Sequence, residues 1–196
     1  MRVLVVFAHP SPESFDAALC SAAVAGLKEG GHEVDLLDLY REGLTCGLTL
    51  EEWNSHPDGL EGIDALAPHI ARLRAAQALV FVFPVWHLHP PAATQAYLER
   101  VWGPGVAYRE PGQPGARIEP LLTNVQKVMV VTSHALPTWI MTLALGNPPR
   151  RYLWRMCRDL MGSHVKKSWL ALGNVYGSSA RRDAFLERVR SAAARF

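Results

Sequence analysis

The chain has 196 residues, 49% of them apolar, and a formal net charge of +2. That length suits one well-buried α/β core and is short for two, so a single domain over residues 1–196 is expected. Basic and acidic residues are mixed along the chain, which argues against a nucleic-acid face; the one local excess, Arg150, Arg151, Arg155 and Arg158, reads as a solvated helix side. Cys20, Cys46 and Cys157 are odd in number and lack CxxC spacing, so neither a disulfide framework nor a structural zinc site is expected. The chain enters a strand at once, with no charged leader and no long apolar run. A cytoplasmic protein without membrane insertion is the expectation.

The first strand is Val3–Phe7. It runs into Phe7-Ala8-His9-Pro10-Ser11-Pro12-Glu13-Ser14-Phe15, the outline of a strand-loop-helix phosphate site without glycines. Here the His9 ring, the Ser11 and Ser14 hydroxyls and the free N–H groups of the helix start would face an anion. The helix dipole favours such an anion by about 0.3–1 kcal/mol. The helix should run from near Ser14 to Gly30-Gly31, with Phe15, Leu19, Ala22, Ala23 and Leu27 on its buried stripe.

Strand-length apolar runs recur at Val34–Leu37, Leu79–Phe83, Val128–Thr132 and Trp169–Leu172. Between and after them lie predicted helices at Ile63–Ala76, Pro91–Val101, Arg150–Met161 and Ala180–Arg195. This βα alternation, with strands apolar throughout, predicts a doubly wound parallel sheet with helices on both faces. Two long connections, Tyr40–Leu60 and Gly103–Leu122, are rich in Gly, Pro and polar residues, and loops of that length in a compact domain are usually functional.

Ligands of open parallel sheets sit beyond the carboxyl ends of the strands, where the strand order reverses. That rule selects His9–Ser14, Pro84–Pro91 and Ser133–Trp139. In the second loop Trp86 is either a platform for a planar heterocycle, where stacking is worth about 0.5–1.5 kcal/mol, or a cap on the core. His87 and His89 form a His-x-His pair that would need a third ligand to hold a metal, so the preferred reading is an imidazole at the surface or at a ring edge. In the third loop Thr132, Ser133 and His134 suit a polar ring edge or a hydroxylated chain, and ordinary strand capping accounts for them equally well.

Taken together, Ala8-His9-Pro10 with Ser14-Phe15, Asp35 to Tyr40, Phe83-Pro84-Val85-Trp86 with Pro91-Ala92, Glu99-Arg100-Val101-Trp102 and Pro104-Gly105-Val106-Ala107-Tyr108 resemble the flavodoxin-like NAD(P)H:quinone oxidoreductases. That family includes the mammalian quinone reductases and the bacterial potassium-efflux ancillary reductases. The resemblance implies the flavodoxin-like strand order 2-1-3-4-5 and a flavin, FMN in preference to FAD. It also implies NAD(P)H as electron donor, a quinone-like small-molecule acceptor using the same pocket in turn, and a homodimer. By position, His9, Ser14, Phe15 and Asp16 would hold the phosphate and ribityl parts. Pro84, Val85, Trp86, His87 and Leu88 would line the isoalloxazine, with Thr132, Ser133 and His134 along its other edge.

The chain departs from the family pattern at His87-Leu88-His89, where a second Trp, another aromatic and a Gly are usual, and at Ser133-His134-Ala135 in place of Thr-Gly-Gly. The Tyr and His that assist hydride transfer in mammalian members fall near Trp139 and Leu145. A ligand-binding regulatory protein of the same fold is therefore the alternative. Zinc-dependent deacetylases also open with Ala-His-Pro, but they need acidic ligands directly after the proline, and only Glu13 is offered. A carboxylate about 6 Å from a phosphate costs about 2–3 kcal/mol at an effective dielectric near 20, so Glu13 is expected to point to solvent.

Overall fold

The computed structural model describes residues 1–44, 47–55, 64–113 and 116–196. Five parallel strands form the main sheet: β1 (Arg2–Phe7), β2 (Glu33–Asp38), β3 (Ala78–Pro84), β6 (Lys127–His134) and β7 (Lys166–Gly173), in the order β2-β1-β3-β6-β7. A separate antiparallel pair, β4 (Tyr108–Arg109) and β5 (Glu119–Pro120), lies within the long connection after Trp102. The flavodoxin-like order expected from the sequence is therefore present, with β6 and β7 as its fourth and fifth strands.

The strands alternate their side chains between two apolar layers. Leu4, Val6, Leu79, Phe81, Val128 and Val130 face a core shared with α3 (Ala67–Ala75), α4 (Ala92–Val101) and α5 (Pro148–Met161). Val3, Val5, Val80, Val82, Met129 and Val131 face the opposite core, closed by α1 (Phe15–Glu29) and α6 (Ser179–Ala194). Gly26 lets α1 and α6 touch: a Cβ there would stand 2.1 Å from the Arg190 carbonyl oxygen. Central strand β3 is buried along its whole length, whereas the outer strands are not, since Leu36 of β2 is 45% exposed and Lys166 and Lys167 of β7 face solvent. The outer strands carry charged residues such as Glu33, Asp35, Lys166 and Lys167, whereas β3 carries none, as suits edge and central positions.

The Tyr40–Leu60 connection contains an unexpected helix, α2 (Leu50–Ser55). Thr49 and Glu52 close it as a capping box: the Thr49 N–H donates to Glu52 Oε2 at 2.9 Å and the Glu52 N–H donates to Thr49 Oγ1 at 3.1 Å. Glu52 is 2% exposed and accepts from Arg100 Nε at 2.9 and 3.0 Å, which pins α2 to α4. The helix expected over Ile63–Ala76 is observed as Ala67–Ala75, and Ile63 lies outside the described residues, as does Cys46. Pro148 and Pro149 extend α5 two residues before its expected start, because proline suits the first turn of a helix. The Leu136–Leu145 stretch holds a π-helical turn, Ile140–Ala144.

Candidate functional site

The strand order reverses between β1 and β3, which is where sheets of this kind have their ligand crevice, beyond the carboxyl ends of the strands. The loop after β1 is held by short internal bonds. The Ser11 N–H donates to His9 Nδ1 at 3.0 Å, which leaves the His9 Nε2 as the ring's free donor in that tautomer. Ser14 caps α1: its Oγ accepts from the Ala17 N–H at 3.1 Å and donates to the Ser11 carbonyl at 2.9 Å. The Ser14 hydroxyl is thus engaged within the loop. The His9 ring and the remaining N–H groups of the first turn carry the loop's capacity to bind an anion. Glu13 is exposed, as expected from the charge argument.

The loop after β3 turns back within two residues. Trp86 and His89 each donate an N–H to the other's carbonyl, at 3.0 and 2.9 Å, and the intervening His87 and Leu88 have φ of 49° and 65°. Two left-handed residues in succession are the signature of a type I′ turn, normally built from Asn and Gly. Here neither position is glycine, so the turn is strained, a condition that clusters at functional sites. Its effect is to present the Trp86 indole, 40% exposed, at the rim of the crevice. The His9 and Trp86 rings meet edge to face with centroids 5.7 Å apart. His87 and His89 are both exposed, and His89 leans on Tyr152 of α5 with centroids 6.0 Å apart. Among the described residues no three His, Cys, Asp or Glu side chains gather closely enough to hold a metal ion.

The end of β6 ties the two loops together from beneath. The Val85 N–H donates to the Ser133 carbonyl at 2.8 Å, and Ser133 Oγ donates to Asp16 Oδ2 at 2.8 Å. Pro84 is buried and Val85 half-buried in this floor. Thr132 is fully buried and its hydroxyl has no partner among the described residues. His134 is folded into its own loop, 5% exposed, with Nδ1 donating to the Leu136 carbonyl at 2.7 Å. Burial holds this imidazole below its ordinary pKa against the opposing pull of that carbonyl. It packs against Gly173, where a Cβ would fall 2.5 Å from Thr138 Oγ1 and 2.8 Å from His134 Cε1. Trp139 and Leu145, by contrast, are 63% and 38% exposed.

Asp16, the second residue of α1, is 4% exposed. Its Oδ2 accepts the Ser133 bond while Oδ1 is buried with no partner among the described residues. Burial pushes its carboxyl up to about 6, with the Ser133 hydroxyl, His9 and its own N–H pulling the other way. Glu13 is exposed, and the buried carboxylate of the first turn of α1 is Asp16. The sequence marked Asp16 by position, but nothing in its spacing signalled burial, because the stripe expected on α1 began at Phe15.

A family of flavodoxin-like fold matches residues 1–192, and the chain belongs to that family. It is 30% identical over 152 residues to the ribosyldihydronicotinamide dehydrogenase-like protein traD of Penicillium crustosum, a match covering 67% of this chain and 57% of that one. With the human ribosyldihydronicotinamide dehydrogenase [quinone] the identity is 28% over 169 residues, covering 78% of this chain and 72% of the human one. The chain thus spans little more than half the length of the Penicillium relative. Among solved structures it is similar to the NAD(P)H:quinone oxidoreductase of Methanothermobacter marburgensis, at 29% identity and a TM-score of 0.81 over 99% of this chain and 98% of that one. Smu.1420 of Streptococcus mutans shares the fold at 24% identity, with a TM-score of 0.87 and full coverage of both chains.

Proposed function

We propose that the protein is a flavin-dependent NAD(P)H oxidoreductase that passes two electrons to a quinone-like acceptor, donor and acceptor occupying one pocket in turn. The observation that carries this reading is the meeting of His9 and Trp86 across the β1/β3 crevice, the place where this fold class binds flavin mononucleotide. The quinone acceptor is suggested by the names of the human and Methanothermobacter relatives.

The residues present suit a flavin. A flat, half-exposed indole stands at the rim of the crevice, the loop below it has donors for one phosphate, and the buried Thr132 hydroxyl lacks a partner. His9 and the first-turn N–H groups of α1 would hold the phosphate, Trp86 would take one edge of the ring system, and the backbone of Pro84 to Leu88 would line it. Thr132 and Ser133 form the floor, and His134 acts on the site through the loop it braces. When bound, the flavin supplies the hydride and electron chemistry. The chain's share is to bind and orient it and to keep water from one face. FMN is favoured over FAD because the loop donors suit one phosphate.

A homodimer and a cytoplasmic location belong to this proposal. The exposed apolar side chains Trp139 and Leu143 favour an interface at the π-helical turn, and no helix among the described residues is long and apolar enough to cross a membrane. Trp139 and Leu145 cannot exchange a proton, which favours a regulatory flavin-binding protein as the second reading. Purification followed by a visible spectrum and stopped-flow mixing with NADH or NADPH separates the two. Rapid bleaching of bound flavin, then reoxidation by a quinone, is expected for the enzyme; bound flavin that does not bleach would support the regulator, and no flavin uptake would remove both.

A further inference from the structure

The two anionic groups of the proposed complex compete for one helix end. Asp16 occupies the first turn of α1 from inside the protein, 4% exposed, with one oxygen bonded to Ser133 and the other without a partner among the described residues. A flavin phosphate would approach the same N-terminus from outside. The surroundings supply little to balance both. From the β1–α1 loop, His9 pulls the Asp16 carboxyl down, and Glu13 in that loop is exposed. From β6 the neutral Ser133 hydroxyl donates to Asp16 Oδ2. On α6, which packs along α1, Arg181 and Arg182 are bonded to the carbonyls of Gly173, Val175 and Gly177.

We propose that Asp16 is a specificity-determining residue: it sets how strongly the site prefers a phosphorylated to an unphosphorylated flavin, because the buried carboxylate must take up a proton from solvent when the phosphate docks. This rests on the flavin reading above. With Asp16 ionised, the phosphate shares the helix end with a second negative charge, and FMN loses much of its advantage over riboflavin. With Asp16 protonated, the repulsion disappears and the helix dipole and His9 act on the phosphate alone. Burial already pushes the free carboxyl up to about 6, so the uptake falls in an accessible pH range.

The test is the affinity of the apoprotein for FMN and for riboflavin, by flavin fluorescence between pH 6 and pH 8, with calorimetry at pH 7 in buffers of different ionisation enthalpy. FMN is expected to bind about tenfold more tightly at pH 6 than at pH 8, with net proton uptake, while riboflavin changes less than twofold. The variant Asp16→Asn should bind FMN about tenfold more tightly than wild type at pH 8 and lose the uptake, apart from what the phosphate itself contributes. FMN binding that is independent of pH without proton uptake in the wild-type protein would overturn the proposal while leaving the flavin reading intact. So would weaker FMN binding by Asp16→Asn at pH 8, which would make the carboxylate a ligand acceptor. Absence of FMN binding at every pH in both proteins would overturn the flavin reading and this inference with it.

Discussion

Two carboxylates of this protein are equally hidden and oppositely treated. Glu52, 2% exposed beneath α2 and α4, receives the Thr49 N–H and two contacts from Arg100 Nε, and these hold its pKa below the ordinary range despite burial. Asp16, 4% exposed beneath the β1–α1 loop, has one serine hydroxyl and an oxygen without a partner among the described residues, and burial raises its pKa. Burial alone therefore says little about a charged group; the partners decide. The α2–α4 junction is a closed polar network that fixes a long connection to the core. The strand-end crevice is under-satisfied and strained, the condition expected where a ligand completes the structure.

The contrast is sharpest in its energetic consequences. Glu52→Ala removes one member of a buried ion pair, and we expect a loss of about 3 kcal/mol in urea unfolding at pH 7. With its folded pKa depressed, the Glu52 contribution is present above the ordinary carboxylate range and is lost as pH falls through the folded value. Asp16 has the opposite sign. Its folded pKa of about 6 lies above the unfolded value, so the native state binds more protons in that window and stability declines as pH rises from about 4 to about 6. Held ionised above that, the carboxylate costs about 3 kcal/mol, so Asp16→Asn should stabilise the apoprotein by about 1–3 kcal/mol at pH 7.5 and leave it nearly unchanged at pH 4. A stability gap independent of pH would show that Asp16 behaves like Glu52.

Two smaller effects probe the crevice alone. Gly173→Ala forces a Cβ into the Thr138 backbone and the His134 ring, and a loss of about 1–3 kcal/mol in thermal unfolding is expected, together with release of the His134 imidazole visible by NMR titration. His87→Gly relieves one left-handed position and should stabilise the apoprotein by about 0.5–1 kcal/mol, measured by the urea midpoint. An equal change on placing glycine at an unstrained exposed site would remove the argument for strain in that turn.

Much of the architecture could be read from the chain because continuous apolar runs such as Leu79–Phe83 have few ways to be buried on both sides other than in a central parallel strand. The α1 start was equally readable, since Ser14 is a strong N-cap and the helix follows it directly. Other features resisted for identifiable reasons. The Trp86 to His89 turn breaks the turn chemistry that sequence reading relies on, with His and Leu in positions that ordinarily call for Asn or Gly. The Thr49-Leu50-Glu51-Glu52 capping signal was present in the chain, but a six-residue helix has too little periodicity to stand out within a polar connection. The turn at Ile140–Ala144 has no sequence signature, and the environment of Asp16 depends on Ser133, a residue 117 positions away.

The loops after β1, β3 and β6 are proposed to hold one flavin together. A crystal structure of the protein grown with FMN tests it most directly. The expected map has a phosphate against His9 and the N-terminus of α1, with the ring system beside Trp86 above Thr132. A flavin bound elsewhere, or a crevice that stays closed by its own side chains at saturating FMN, would contradict it.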